Sequence, residues 1–226
     1  MRPTHVLLDL DGTLSDSEPG IMRSLQWACR QEGFPEPTAE QVRSVIGPPF
    51  ELGLPSIGIP DDALERVINT YRVRYGMIGA FENTLYDGVL EMLSALTEDG
   101  FSISVATAKP EETAHPILDY FGISDLFDVR AGATLTGERR TKAQVIDHAL
   151  RQLGLHNQPE LDTRVVMVGD RNHDVHGAMH HGIPCIGVTW GYGTSEELIG
   201  AGAIALADTP SEVVDLIQHP YRWRQP

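Results

Sequence analysis

Cysteine is nearly absent: Cys29 and Cys185 are the only two in 226 residues. That is too few for a disulfide framework or a structural zinc site, and a reducing cytoplasm is the compartment it suggests. Long apolar runs are missing as well. No stretch reaches the roughly 18 apolar residues of a membrane-spanning helix, and the amino terminus meets Asp9 too soon for the apolar segment of a secretory signal. Basic residues are scarce, 17 Lys and Arg against 32 Asp and Glu, giving a formal charge of −15. This balance argues against nonspecific nucleic-acid partners and against an acidic membrane surface. It does not exclude an anionic small molecule, because a divalent cation and a lysine can invert the sign of a small site within an acidic protein. Also lacking are a Gly-rich phosphate loop ending in Gly-Lys-Ser/Thr, a protein-kinase signature set, internal repeats and low-complexity segments.

What is present centres on His5 to Ser17, HVLLDLDGTLSDS. His5 to Leu8 is long enough for a buried parallel strand, and it runs into Asp9 and Asp11 before Gly12 breaks the pattern. Strand side chains alternate faces, so an extended backbone aims both carboxylates the same way, off the carboxyl end of the strand, where open α/β sheets bind ligands. Desolvating a charge is costly without a partner, and a cation is the obvious one. A solvated turn is the alternative reading, since Asp and Gly are common turn residues.

The chain then predicts helices in series. Ser17 is a cap with Pro19 in the first turn, Thr38 and Gln41 form a capping box, and Asp61 with Asp62 leads a third helix. Residues 17–86 therefore read as an all-helical insertion, with core segments 1–16 and 87–226 on either side. Strand and helix alternation resumes with a helix from Gly88 to Glu98 and a strand FSISVAT ending at Thr107. Pro110, Glu111 and Glu112 open another helix, and Phe127 to Val129 is a short strand. Thr141 and Gln144 form a second capping box, with Lys142 in the first turn. A cation there opposes the helix macrodipole, and a bound anion would explain it. Val165 to Val168 ends in VGDRNHDV, which supplies Asp170 and Asp174. A helix over 172–180, strands at 185–188 and 204–206, a final helix opened by Thr209 and Pro210, and a loose tail from Tyr221 complete the reading.

The pattern DLDGTLSDS resembles the first motif of the haloacid dehalogenase-like superfamily of phosphohydrolases. Thr107, Lys142 and the pair Asp170 and Asp174 follow in the order and spacing of the other three motifs. The resemblance implies a doubly wound, Rossmann-like α/β core with a parallel sheet and an inserted helical cap. It also implies roles. Asp9 is the nucleophile that attacks phosphorus to form an aspartyl-phosphate, and Asp11 protonates the leaving oxygen and then deprotonates water. Repulsion between a carboxylate and a phosphate dianion is about 4 kcal/mol per charge pair near 4 Å at an effective dielectric of roughly 20, so countercharge is required. Mg²⁺ would supply it, held by Asp9, the carbonyl of Asp11 and Asp170. Lys142 would neutralise the phosphate and orient Asp9, and Thr107 would bond a nonbridging oxygen. Asp174 stands behind these groups, holding Lys142 or a metal-bound water. Gly12, Thr13, Ala108 and Lys109 are expected against the phosphate.

In the cap, Arg43, Gly47 with Pro48 and Pro49, Arg72, Arg74 and Tyr75 are candidates for choosing the substrate. The whole chain looks like the phosphoglycolate phosphatase and 5′-nucleotidase branch, so a small phosphorylated substrate is expected. The segments ATAKP, GDRNHDVHGA and WGYG are also similar to a bacterial member of the superfamily described as a protein tyrosine kinase, which would add a protein substrate. A non-catalytic phosphate-binding module is a third alternative, disfavoured because each motif residue is present. His173, His176, His180 and His181 have helical spacing but lack a matching acid and apolar shell for a second metal. Trp190, Gly191, Tyr192 and Gly193 could shape a pocket edge, but an aromatic-rich turn packed on the core is the favoured reading.

Overall fold

The computed structural model describes residues 2–47 and 50–223. Strands β1 (His5–Leu8), β2 (Ser15–Asp16), β3 (Thr84–Leu85), β4 (Ser102–Pro110), β5 (Val129–Ala133), β6 (Val165–Gly169), β7 (Cys185–Val188) and β8 (Ala205–Ala207) alternate with helices. Six of them form one sheet in the order β5-β4-β1-β6-β7-β8, and every pairing in it is parallel. The chain builds outward from β1 through β4 to β5, returns to the other side of β1 with β6, and continues to β8. The crevice between β1 and β6 is thus the topological switch point of a doubly wound sheet, where ligand sites form.

The central strands are buried on both faces, which explains why their sequences are continuous apolar runs rather than alternating ones. Val6, Leu7, Leu8, Val165, Val166, Met167 and Val168 are all fully buried. Leu7, Val165 and Met167 share a cluster with Val145, Ile146 and Ala149 of the helix Lys142–Gln152 and with Val175 and Ala178 of the helix Asn172–His180. Each such side chain removed from water contributes about 1.5–3 kcal/mol.

The chain divides into two compact units, Met1–Leu14 with Leu85–Pro226, and Ser15–Thr84. Both divisions fall two residues before the joins expected from the sequence. The offset has a local cause: β2, just before the expected helical stretch, pairs with β3, near the end of it, as a small sheet of their own. Within the second unit the helices Glu18–Gln31 and Leu64–Met77 pack together. The capping box at Thr38 is present, whereas Ser17 occupies the cap position without a side-chain cap bond.

Three other expectations are corrected. β4 does not end at Thr107 but continues to Pro110, because a register shift keeps residues beyond Ala106 in the sheet. β5 begins at Val129 rather than Phe127, since Ser124–Leu126 is a 3₁₀ turn that delays entry. The carboxyl-terminal segment is not wholly loose: Pro220–Arg222 is a 3₁₀ turn, and Trp223 Nε1 donates to the Leu216 carbonyl at 2.8 Å.

Candidate active site

Leu8 is in register with Val105 of β4 and Val168 of β6, so Asp9 leaves the sheet at the switch point. Its N–H still donates to the Val168 carbonyl at 3.0 Å. The Asp9 carboxylate is buried, and both of its close contacts fall on Oδ1: the Leu10 N–H donates to it at 2.8 Å and Lys142 Nζ lies 2.8 Å away. Oδ2 is therefore the oxygen left to act.

Lys142 occupies the first position of its helix, held by the Thr141 and Gln144 capping box. Its stem runs back toward the sheet, where Nζ meets Asp9 Oδ1, Asp174 Oδ1 at 2.7 Å and the Ala106 carbonyl at 2.9 Å. The ammonium has one hydrogen bond, to the Ala106 carbonyl, and two carboxylate ion pairs. The charge that offsets the unfavourable helix start is thus carboxylate from two other elements. Gly177, on the facing helix, makes room for the stem: a Cβ there would lie 2.6 Å from Lys142 Cγ.

Asp170 follows β6 and is fully buried. Thr13 Oγ1 donates to its Oδ1 at 3.3 Å, and the Tyr192 N–H donates to its Oδ2 at 2.7 Å. Gly12 has a φ of 81°, and a Cβ there would collide with the Asp170 carboxylate; only glycine suits both conditions. Trp190 Nε1 donates to the Thr13 carbonyl at 3.0 Å. The WGYG turn is therefore a wall of the site, the less favoured of the two roles its sequence offered. The signal that could have found it is its position, directly after a strand adjacent to β6 and on the ligand edge.

The carboxylate oxygens of Asp9, Asp170 and Asp174 lie within 4.8 Å of one another, all buried. Lys142 pairs with two of the three carboxylates, Asp9 and Asp174, so the cluster keeps uncompensated negative charge. Burial, offset in part by Lys142 and reinforced by Asp174, pushes Asp9 up to about 6. Burial, then repulsion from Asp174 and Asp9, drives Asp170 well above the usual carboxylate range. Burial alone would lower Lys142, but Asp174 and Asp9 outweigh it and hold its ammonium more firmly charged. A buried all-oxygen cluster with excess negative charge fits a hard divalent cation. Among the described residues it is the sole group of three or more such ligand atoms this close together.

Asp11 points elsewhere: its Oδ2 accepts from Lys109 Nζ at 2.6 Å. The Lys109 N–H donates to Thr107 Oγ1 at 3.2 Å. Both Thr107 and Lys109 ride on the irregular part of β4, where the strand advances from Ala106 to Pro110 while β5 advances only from Ala131 to Ala133. In the second unit, Arg43 Nε lies 2.7 Å from Glu18 Oε2, Arg74 pairs with Glu82 at 2.9 Å, and Tyr75 stacks on Tyr71. Arg72 reaches Asn69 at 3.5 Å. Gly47 follows the helix Ala39–Val45 with a φ of 111°, and Pro48 and Pro49 lie outside the described residues.

A parallel doubly wound sheet with these acids on its ligand edge defines a class, and the family comparison agrees with it: residues 6–188 match the haloacid dehalogenase-like hydrolases. The chain belongs to that family. Among individual proteins, it is 43% identical over 194 residues to the tyrosine-protein kinase PtkA of Mycobacterium tuberculosis, covering 86% of this chain but 65% of the kinase's length. It is 37% identical over 199 residues to a 5′-nucleotidase of Pseudomonas aeruginosa, covering 88% of each. A crystal structure from Clostridium acetobutylicum, described as a predicted phosphatase, superposes with a TM-score of 0.89 at 34% identity, covering 97% of this chain and all of that one (100%). No helix among the described residues is long and apolar enough to cross a membrane.

Proposed function

We propose that this chain is a Mg²⁺-dependent phosphatase that hydrolyses a small phosphate monoester, of the phosphoglycolate or nucleoside monophosphate class, through an aspartyl-phosphate on Asp9. The observation that carries the reading is the state of the Asp9 carboxylate, buried at the switch point with Oδ1 tied to Lys142 and to a backbone N–H. That fixes the orientation of a nucleophile and leaves its second oxygen to meet phosphorus.

Asp9, Asp170 and the carbonyl of Asp11 would hold Mg²⁺. When bound, it would offset the negative charge that Asp9 and the phosphate share. Lys142 stays protonated and adds a fixed positive charge beside the reacting oxygen. As the Asp9–P bond forms and the ester P–O bond breaks, Asp11 gives its proton to the leaving oxygen. It takes a proton back when water attacks the aspartyl-phosphate, which restores Asp9 and releases phosphate. The hydroxyl of Thr107 is available to a nonbridging oxygen.

We also propose that residues 17–86 act as the cap that selects the substrate, in the cytoplasm. The 43% identity to PtkA favours a second reading, phosphoryl transfer to protein tyrosine. One panel tests both: phosphate release from phosphoglycolate, nucleoside monophosphates, sugar phosphates and phosphotyrosine with and without Mg²⁺, beside an ATP-to-tyrosine transfer assay. Release from at least one small monoester, dependent on Mg²⁺, is expected. Transfer to tyrosine with no monoester turned over would replace the first reading with the second.

A further inference from the structure

Each of the two leading carboxylates has its own lysine. Lys142 contacts Asp9, and Lys109 Nζ lies 2.6 Å from Asp11 Oδ2, with side chains only 6% and 14% exposed. The bulge in β4 that carries Lys109 also carries Thr107, and the Lys109 N–H bonds the Thr107 hydroxyl, so one backbone irregularity sets the tie to Asp11. The second oxygen of Asp11, Oδ1, is buried and has no hydrogen-bond partner among the described residues. A buried acceptor left bare is destabilising, and such a group in a native structure calls for a use.

We propose that Lys109 is a positioning residue for the hydrolysis, tethering Asp11 by Oδ2 so that Oδ1 is the atom that exchanges the proton. The inference rests on the phosphatase reading above and adds a division of labour to it. A free carboxyl turns about its terminal torsion and presents either oxygen. An ammonium fixed on one oxygen removes that freedom, in the way that a placed neighbour orients a general acid or base. Lys109 itself gains and loses no proton. The proton on Asp11 goes to the leaving oxygen as the ester P–O bond breaks, and water's proton returns to Asp11 in the second step, so the reaction balances without the lysine. This differs from the sequence expectation, in which Lys109 binds the phosphate directly.

The two roles separate kinetically. In the first step, release of the leaving group, a lysine that acts through Asp11 matters only when the leaving oxygen needs a proton; one that binds phosphate matters for every substrate. Lys109→Met and Lys109→Arg are to be assayed with Mg²⁺ on an alkyl phosphate that the wild type turns over and on p-nitrophenyl phosphate, whose leaving group needs no proton. In single-turnover release of the leaving group, Lys109→Met should slow the alkyl phosphate about 10–100-fold and the aryl one less than about threefold, while hydrolysis of phosphorylated Asp9 slows equally whichever substrate formed it. Lys109→Arg should recover most of the loss. In an Asp11→Asn background, Lys109→Met should add almost nothing, as expected for groups acting as a unit. Equal losses in leaving-group release from both substrates, or a rise in KM alone, would overturn the proposal in favour of phosphate binding. Should circular dichroism show Lys109→Met unfolded, Lys109→Gln takes its place under the same criteria. A wild type that hydrolyses neither substrate would overturn the phosphatase reading and this inference with it.

Discussion

Asp9 and Asp11 stand at the end of one strand yet meet different lysines, Lys142 at 2.8 Å and Lys109 at 2.6 Å, and the proposed chemistry gives them different work. Asp9→Asn should form no covalent intermediate, because an amide is a poor nucleophile and a weaker cation ligand. Asp11→Asn keeps the backbone carbonyl but loses proton donor and base. Proton transfer by a placed group is worth about 10²–10⁴-fold, or roughly 3–5 kcal/mol of barrier. With an acyl or nitrophenyl phosphate, Asp11→Asn should therefore accumulate phosphorylated Asp9 that hydrolyses slowly. Mass spectrometry of acid-quenched protein reads this directly, and an adduct on Asp9→Asn with none on Asp11→Asn would mean that nucleophile and acid are exchanged. At this scale the acids themselves were legible, since two carboxylates on an apolar strand are hard to explain by folding alone. Their partners were not. Whether Lys109 meets a phosphate or Asp11 depends on a two-residue irregularity in β4 that no periodicity reveals.

Elements whose signals are local were readable, and those set by tertiary pairing were not. The capping boxes at Thr38 and Thr141 form as their spacing implies, because both partners lie within one turn. The extension of β4 to Pro110 and the start of β5 at Val129 depend on neighbouring strands, so the local pattern misplaced both. Helix contact at Gly177 was equally hidden, since its meaning lies in Lys142 across the interface. It carries an element-scale prediction. Gly177→Ala should cost about 1–3 kcal/mol by overpacking and reduce turnover by displacing Lys142. Gly200→Ala, also in a helix but with nothing within 4 Å of the new Cβ, should instead gain about 0.8–1 kcal/mol. Urea denaturation of both variants checks the pair, and a similar stability change in each would sink the packing argument. Thr141→Ala should lose about 1 kcal/mol from the lost cap, with a further drop in turnover because the cap holds the first residue of the helix, Lys142. Stability falling without any change in turnover would detach the cap from the site.

Across the whole molecule the excess of acids becomes a dependence on pH and on cations. Asp9 has a folded pKa of about 6 against an ordinary 3.8, raised first by burial. Its native form thus holds a proton more tightly than its unfolded form. The stability it contributes is fully present below about pH 4 and is lost as pH rises through about 6. Asp170 shifts in the same direction. Surface acids act oppositely: Glu82, lowered by its bond from Arg74, and Asp147, lowered by its bond from Arg151, lose stability as pH falls. Comparison with and without Mg²⁺ at each pH cancels that background. A cation that binds the native cluster competes with the protons on Asp9 and Asp170, so its effect should grow as they ionise. Saturation at 100 times Kd adds about 2.7 kcal/mol. Thermal denaturation should therefore show Mg²⁺ raising Tm at about pH 7.5, little effect at about pH 5, and no Mg²⁺ effect at either pH in Asp170→Asn. An equal rise in Tm at the two pH values, or one that survives in Asp170→Asn, would place the cation somewhere other than the buried cluster at the end of β1 and β6.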